Sequence, residues 1–553
     1  MDEKILELIK KAVKKNKERF DLKEIPLIEI EIPPDSKLGD ISTNIALKIA
    51  RQTRKNLGEI AQTLINDFNA GLRDFALNQD IEKIELKNGF INFFLSRSAY
   101  YKILLNIKKE GNRYGRSNTG RRKKVLLEFV SANPTGPLSV AHGRQAALGE
   151  GIAGILKFLN FSVQKEYYVN DEGRQIELLG ESVKARCMEL SQESGFEFPA
   201  DGYKGQYVYS IAEEMLGKYK KDFLKGKDKT FFSQYAINFI LALIESDLEL
   251  FGVRFDNWFH QSTLSKHAKE EKVLAYLKKQ GHIYEKEGAV WFKSSTFGDD
   301  KDRVLIKNDG SFTYLTPDIA YHKEKKQRKF EWMINIWGPD HHGYIPRLKA
   351  ACSALGVKDG VLQVIIAQLC TLLSEGKPLK MSTREGEFVT LRQVIEDVGK
   401  DAAKFFFLMR RASSHLDFDL ELAKKKSLEN PIYYIQYAHA RICSIMEFKQ
   451  EKKIKLNKLD LNYLNEHEEL ELVRTLRLFP STLINISRSL EPYTLTLYLR
   501  NLAGLFHTFY QKHRVVISDD LELTAARILL IDCTRIVIAN GLSLLGISAP
   551  RKM

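Results

Sequence analysis

An apolar run that breaks into a Pro/Gly-punctuated loop and restarts as a small-residue helix constrains this chain more than any other feature. The run is Val125-Leu126-Leu127-Glu128-Phe129-Val130 and the loop is Ser131-Ala132-Asn133-Pro134-Thr135-Gly136-Pro137-Leu138-Ser139. The restart is Val140-Ala141-His142-Gly143-Arg144-Gln145-Ala146-Ala147-Leu148-Gly149-Glu150-Gly151-Ile152. Strand, loop and helix start in that order aim backbone N–H groups and a positive dipole end at an anion. The small residues let a planar ring or a phosphate lie against the backbone. Far downstream, Lys380-Met381-Ser382-Thr383-Arg384 forms a basic loop. Together they suggest a nucleotide triphosphate gripped from two sides.

The charge balance points the same way. Against 71 Asp+Glu stand 85 Lys+Arg, a net +14 over 553 residues, which favours a polyanion such as nucleic acid. Five scattered cysteines (Cys187, Cys352, Cys370, Cys443, Cys533) with no C-x-x-C spacing argue against a disulfide framework and a cysteine zinc site, and suit a reducing cytoplasm. The N-terminus lacks an apolar signal region, and no run approaches the roughly 20 apolar residues that cross a bilayer. A soluble cytoplasmic protein is expected.

A chain of this length predicts about three domains. In the first, Ile5, Leu8, Ile9 and Ala12 recur at helical spacing, and Ile28, Ile30 and Ile32 alternate as a strand that Pro33-Pro34 ends. Asp40 reads as the cap of a helix over Ile41 to Ala50, and Asn88-Gly89 as a hairpin turn within Ile84 to Leu95. The basic stretch Gly111 to Arg122 reads as a linker. Strand and helix signals then alternate into the low 400s, with a hairpin at Val304 to Thr316 and a strand-to-helix corner at Ile334 to Gly343. From Asn430 onward, periodic helices follow at Ile432 to Phe448, Glu469 to Ile486, Tyr498 to Tyr510 and Thr524 to Leu545. The expected architecture is multidomain α/β: a small N-terminal α/β domain (1–112), a Rossmann-like doubly wound domain (113–428) and an all-α C-terminal bundle (429–553).

Glu128 and Asn133 fall where such a sheet binds its ligand, at a strand end and the loop after it. A helix starting near Pro317 would turn Asp318 back toward Tyr314. Two carboxylates and a phenol around one crevice suit a guanidinium, whose planar fork favours carboxylates. Blander readings stand beside these. Asp318 reads equally as a helix-start carboxylate, Glu128 as the partner of an internal arginine, His142 as a core histidine and Lys380 as a solvated loop lysine. Asp340-His341-His342 lacks a third spaced ligand, so no structural zinc is expected.

The residues from Glu128 to Arg144 and from Lys380 to Gly386 resemble the two signatures, "HIGH" and "KMSK", of class I aminoacyl-tRNA synthetases, and closely those of the arginyl-tRNA synthetase family. Tyr168-Val169-Asn170-Asp171, Tyr314 to Ala320, Gly338 to Tyr344 and Gly541 to Ile547 carry the same resemblance, in order over nearly the full length. It implies ligation of L-arginine to tRNA(Arg) through an arginyl-adenylate, with ATP as substrate, Mg²⁺ accompanying it, and a monomeric state. Glu128, Ser131, Asn133, Tyr314 and Asp318 resemble the arginine-binding set. Pro137, Ser139, Ala141, His142, Asp340, His341, Lys380, Met381 and Ser382 resemble the ATP site, with His142, Lys380 and Ser139 in catalytic positions. Tyr437, Arg441, Tyr510, Arg514 and Met553 resemble anticodon contacts, and Phe90 and Asn92 the reader of the tRNA D-loop. The family also implies that tRNA binds before activation proceeds.

Ser139, Ala141 and Thr383 depart from the signatures' first histidine, glycine and second lysine. Each charged contact is worth roughly 1.5–3 kcal/mol, and Lys123 or Lys124 is the candidate replacement for the lost charge. A tRNA-holding paralogue without activity is the rival reading. Another class I ligase is disfavoured, because no cysteine zinc pattern or editing insertion separates the two signatures.

Overall fold

The computed structural model describes residues 1–33, 35–193, 196–220, 224, 226, 228–379, 389–452 and 459–553. The N-terminal part runs α1 (Asp2–Lys15), β1 (Ile41–Thr43), α2 (Ile45–Thr53), α3 (Leu57–Gly71), β2 (Ile81–Lys87), β3 (Phe90–Leu95) and α4 (Arg97–Glu110). Helix α1 buries the periodic face Ile5, Leu8, Ile9, Ala12 and Val13. Asn88 and Gly89 both take positive φ, 53° and 82°, as a tight hairpin turn requires, and join β2 to β3 in an antiparallel sheet of order β1-β3-β2.

Two readings change here. The strand expected at Ile28–Ile32 shrinks to one bridge between Glu31 and Ser42, because its neighbour β1 is only three residues long. Asp40 caps no helix: Ile41–Thr43 is strand, and α2 begins after Asn44. Buried instead, Asp40 accepts from Leu95 N (2.8 Å), Tyr100 Oη (2.5 Å) and Arg474 Nε (2.9 Å), which ties this part to the C-terminal helices.

The central part opens with β4 (Lys124–Glu128), α5 (Val140–Phe158), β5 (Ser162–Val169), α6 (Arg174–Leu190), α7 (Gln206–Tyr219), α8 (Lys229–Leu250) and β6 (Asn257–His260). It continues through α9 (Ser262–Lys266), α10 (Lys269–Lys279), β7 (Ile283–Lys286), β8 (Ala289–Phe292), β9 (Arg303–Ile306), α11 (Leu315–Gln327), β10 (Trp332–Trp337), α12 (Ile345–Ala354) and β11 (Leu362–Ile366). Five parallel strands form the sheet β11-β10-β4-β5-β6. The chain leaves β4 toward β5 and returns on its other side at β10, so the strand order reverses between β4 and β10, where such sheets open a ligand crevice. An antiparallel meander β7-β8-β9 is inserted before α11. The hairpin expected at Val304–Thr316 is only half formed: its return arm is a single Ile306–Phe312 bridge, because α11 starts at Leu315.

Helix α5 packs on all sides, and its glycines serve that packing. A Cβ at Gly149 would lie 2.3 Å from the Phe129 ring, at Gly143 2.7 Å from Leu391, and at Gly154 2.4 Å from the Leu544 carbonyl. The small residues beyond the first turn therefore admit protein neighbours, not a nucleotide as the sequence suggested.

After β12 (Cys370–Ser374), β13 (Lys377–Pro378), α13 (Leu391–Val398), α14 (Lys400–Leu408), β14 (Leu416–Asp419) and α15 (Leu420–Lys424), the chain becomes helical. Helices α16 (Pro431–Glu451), α17 (His467–Arg477), α18 (Phe479–Ser489), α19 (Tyr493–Lys512) and α20 (Leu521–Leu544) form the C-terminal bundle. The helix expected at Glu469–Ile486 is two, broken at Leu478 just before Pro480, which lacks the N–H a continuing helix needs. The basic linker is docked: Tyr114 is buried and donates to Leu476 O (3.1 Å), while Asn540 donates to Gly111 O (3.0 Å). Among the described residues, no helix is long and apolar enough to cross a membrane.

Candidate active site

Glu128 ends β4 and is 6% exposed. The chain then turns so sharply that Val130 and Ser131 take φ of 67° and 41°, with Ser131 N donating to Phe129 O at 2.9 Å. A β-branched residue in the left-handed region is strained, and such strain concentrates at functional sites. Neighbouring strands and helices hold the loop in place. Ser131 Oγ accepts from Tyr168 N (3.1 Å), Tyr167 Oη donates to Ala132 O (2.8 Å) and Tyr207 Oη to Thr135 O (2.6 Å). Asn133 donates to Gln175 Oε1 (2.8 Å) and accepts from Asn170 Nδ2 (3.4 Å).

The loop delivers Ser139 as N-cap of α5, with Pro137, Ala141 and His142 half-buried around the helix start. Ser139 N donates to His142 Nδ1 at 3.1 Å. Burial pushes the His142 imidazole down to about 4, against the opposing charge of Asp340, so it is neutral at pH 7. Because Nδ1 is an acceptor, the single ring proton sits on Nε2. The helix start thus offers a neutral N–H donor beside its backbone N–H groups, a set suited to phosphate oxygens. Lys380, Met381, Ser382 and Thr383 lie outside the described residues. Just past them, Thr390 bridges Ser139, and Leu391 N donates to Leu138 O at 2.8 Å.

On the other side of the switch point, α11 starts two residues before Pro317 and changes the expected pairing. Tyr314 is 82% exposed, and Asp318 turns to Tyr344, accepting from its Oη at 2.5 Å. Burial raises the Asp318 carboxyl to about 6, opposed by the Tyr344 hydrogen bond, supported by the Glu128 charge and opposed by Lys325. Glu128 pairs with an internal cation, which is Lys325 and not an arginine. Lys325 is fully buried, donates also to Asn335 Oδ1 (3.2 Å), and lies 4.3 Å from the Tyr321 ring centroid. Among the described residues, Asp318 has no cation in hydrogen-bond contact. The two carboxylates are near enough for the Glu128 charge to act on Asp318, and only Glu128 is sealed by an internal cation.

Asp340 and His341 sit exposed on the turn after β10, with His341 Nε2 3.4 Å from Asp340 Oδ2 and its ring 5.6 Å from Trp337. Neither Lys123 nor Lys124 can stand in for a signature lysine. Both lie at the start of β4, the end of the strand opposite Glu128, and Lys123 Nζ is 5.2 Å from the Trp332 ring centroid.

The expected anticodon residues do converge. Tyr437, Arg441, Tyr510, Arg514 and Met553 line one cleft of about 570 Å³ in the bundle. Arg441 donates to Tyr437 Oη (2.7 Å) and Tyr510 Oη (3.1 Å) and stacks 4.5 Å from the Tyr510 ring centroid, leaving a flat cationic and aromatic surface. In β3, Phe90 is half-buried, but Asn92 is 3% exposed and donates to Phe90 O (3.2 Å), so its amide does not face a ligand.

Sequence reasoning missed Lys325 and Gln175, and it gave Tyr168 and Tyr344 no role although both lie in segments that carry the resemblance. Lys325 hid in the basic run Lys323-Glu324-Lys325-Lys326, which reads as a solvated helix end. The signal was its spacing: seven residues after Asp318, two helical turns along the same face.

Three family models match in chain order: "Arginyl tRNA synthetase N terminal domain" over residues 3–95, "tRNA synthetases class I (R), catalytic domain" over 103–414 and "DALR anticodon binding domain" over 435–553. The arginine–tRNA ligase of Citrifermentans bemidjiense is 46% identical, with 96% of each chain covered. That of Bacillus subtilis is 42% identical over 96% of this chain and 95% of its own. The solved arginyl-tRNA synthetase of Thermus thermophilus, 21% identical, shares the fold at a TM-score of 0.79 with both chains covered completely. With a strained strand-to-helix turn facing a half-neutralised acidic pocket, and relatives alike from end to end, the chain belongs to the arginyl-tRNA synthetase family of class I.

Proposed function

We propose that this chain ligates L-arginine to the 3′ end of tRNA(Arg) in two steps. The arginine carboxylate attacks the α-phosphorus of ATP, forming arginyl-adenylate and releasing pyrophosphate. A terminal ribose hydroxyl of the tRNA then attacks the activated carbonyl and AMP departs. What supports this reading is a helix start that presents backbone N–H groups and a neutral imidazole donor, and, across the reversal of strand order, an acid, Asp318, with no cation in hydrogen-bond contact. No covalent nucleophile is needed, since positioning and charge stabilisation supply the rate.

In this reading His142 Nε2–H, Ser139 and the α5 start hold phosphate oxygens, with Lys380 and Ser382 closing from the second signature. Asp340 and His341 meet the adenosine. Glu128 and Asp318 take the guanidinium, while Ser131 and Asn133 take the amino acid's polar end. A lysine side chain reaching this pocket lacks the fork, leaving a carboxylate oxygen unpaired, and is rejected. Mg²⁺ arrives with ATP, whose phosphates and waters supply most of its ligands. The division at 112/113 and 428/429 separates a tRNA-core module, the catalytic sheet and the anticodon bundle, in a monomeric cytoplasmic enzyme.

Charging total tRNA with each of the twenty amino acids in turn tests this. Arginine alone should give charged tRNA and AMP. Folded protein that binds tRNA but releases no pyrophosphate would establish the tRNA-holding alternative. For the bundle, Arg441→Ala is expected to weaken tRNA binding and to lower the slope of log K against log[salt] by about one. An unchanged slope would take Arg441 out of the interface.

A further inference from the structure

The charged groups around the acidic pocket can be counted. Three carboxylates, buried Glu128 from β4, buried Glu166 from β5 and half-buried Asp318 from α11, surround two cations of α11, buried Lys325 and half-buried Arg328. Asp171 and Glu270, whose charges also reach Tyr168, have partners of their own in His260 and Ser262 and in Ser265. Arg328 is spent on Glu166, holding it through two hydrogen bonds of 2.7 and 2.9 Å, with Tyr321 Oη (2.7 Å) and Asn257 (2.6 Å) completing that carboxylate's shell. Lys325 is left for both Glu128 and Asp318. The remaining groups carry no charge to offset it: burial keeps His322 neutral and the Tyr168, Tyr321 and Tyr344 phenols protonated. Arg347, 5.0 Å from the Tyr344 ring centroid, acts on Tyr344 and not on Asp318. Among the described residues, the group around Lys325 and Arg328 is one cation short.

The geometry of the acceptors agrees. Glu128 Oε2 is taken by Lys325 and Asp318 Oδ2 by Tyr344. Among the described residues, Glu128 Oε1 and Asp318 Oδ1 accept no hydrogen bond.

We propose that Lys325 is a positioning residue of the arginine pocket: its buried ammonium orients Glu128 so that Glu128 and Asp318 each present one open oxygen, and its charge leaves room for one substrate cation. This rests on the reading that the crevice takes arginine. Lys325 does not touch the substrate. Asn335 Oδ1 of β10 and the Tyr321 ring of α11 hold the ammonium in place beside Glu128.

The test compares wild type, K325M and K325R in tRNA charging and in ATP–pyrophosphate exchange with tRNA present. K325M strands a buried carboxylate, so the arginine KM should rise about 10²-fold, with the ATP KM unmoved. An unpaired buried carboxylate binds protons more readily, so the pH below which the arginine KM climbs should move upward. K325R, which keeps the charge, should leave that pH unmoved. A fall in kcat with neither the arginine KM nor its pH dependence altered would assign Lys325 a purely structural role and overturn the proposal.

A measurement on the wild-type enzyme with tRNA bound does not depend on either variant folding. Calorimetry of arginine binding in buffers of different ionisation enthalpy should show about half a proton released at pH 6 and none at pH 8, because Asp318, raised to about 6, is half protonated at the first pH and ionised at the second. Release at pH 8, or more than one proton at pH 6, would mean Lys325 does not neutralise Glu128. A wild type that never charges tRNA with arginine would instead remove the functional reading itself.

Discussion

Asparagine in place of Asp318 is expected to raise the arginine concentration for half-maximal charging by about 10²- to 10³-fold, with ATP and tRNA requirements within about twofold of wild type. The reasoning is local. Asp318 has no cation in hydrogen-bond contact among the described residues, so on the proposed reading it is the group that a bound guanidinium would satisfy. Removing one partner of a buried charge pair costs about 3–5 kcal/mol, because the other charge is left without a counterion. The amide keeps the size and the Tyr344 contact, so lost binding cannot be blamed on a collapsed pocket. Equal losses in arginine and tRNA affinity would make Asp318 a structural residue.

The same carboxyl gives a pH signature. Burial raises Asp318 to about 6 in the unliganded protein, and a guanidinium binds its ionised form. The arginine KM should therefore be flat above pH 6 and climb about tenfold per unit below it, and D318N should abolish that limb. For folding the sign is reversed. A carboxyl raised in the folded state adds stability below its ordinary value of 3.8, and that contribution disappears as the pH rises through about 6. Without arginine the site is thus less stable at neutral pH than in mild acid on this account, and arginine should protect it most near neutrality.

Replacing His142 by alanine is expected to cut kcat by about 10²- to 10³-fold while leaving the arginine KM nearly unchanged. Loss of one preorganised donor at a developing anion typically has that effect. Here the donor is fixed by its own backbone: Ser139 N–H occupies Nδ1 and leaves the proton on Nε2. Because burial holds the imidazole near 4, activity should show no limb from this residue between pH 5 and 8. H142N, which can still donate one hydrogen bond, should recover part of the loss. A variant with wild-type kcat would show that the helix start binds phosphate without the side chain, and the assignment of His142 would fall.

Ser139 takes the place of a signature histidine and helps to explain why the site tolerates the change. Its backbone, not a charged side chain, sets the His142 tautomer, and its bridge to Thr390 couples the helix start to the chain returning from the second signature. Any residue at this position supplies that N–H except proline.

Much of this was legible in one dimension. Local signals fixed the parallel sheet, the Asn88-Gly89 hairpin and the helical C-terminus, because periodicity and turn chemistry act over a few residues. The family resemblance over nearly the full length named five distant residues as anticodon contacts, which no local pattern could have done, and the fold brings them into one cleft of the bundle. Three short-range readings failed where a neighbour overrode propensity. Asp40 looked like a cap until Arg474 and Tyr100 claimed its carboxylate, Gly149 looked like room for a ligand until Phe129 filled it, and Lys123 looked like a spare charge although its strand starts at the far end of the sheet.

What the sequence determined alone was the kind of molecule: the alternation of strands and helices, the helix start that follows the first signature loop and the presence of acids at the strand end and in α11. Only the tertiary structure decided which acid remains open to a substrate. Charge balance in a buried pocket depends on partners far apart in the chain, here Glu128 and Lys325 brought together from β4 and α11. Burial penalises an uncompensated charge and strengthens its attraction to a partner, so a single lysine unremarkable in the sequence leaves Asp318 as the acid without a cation in contact.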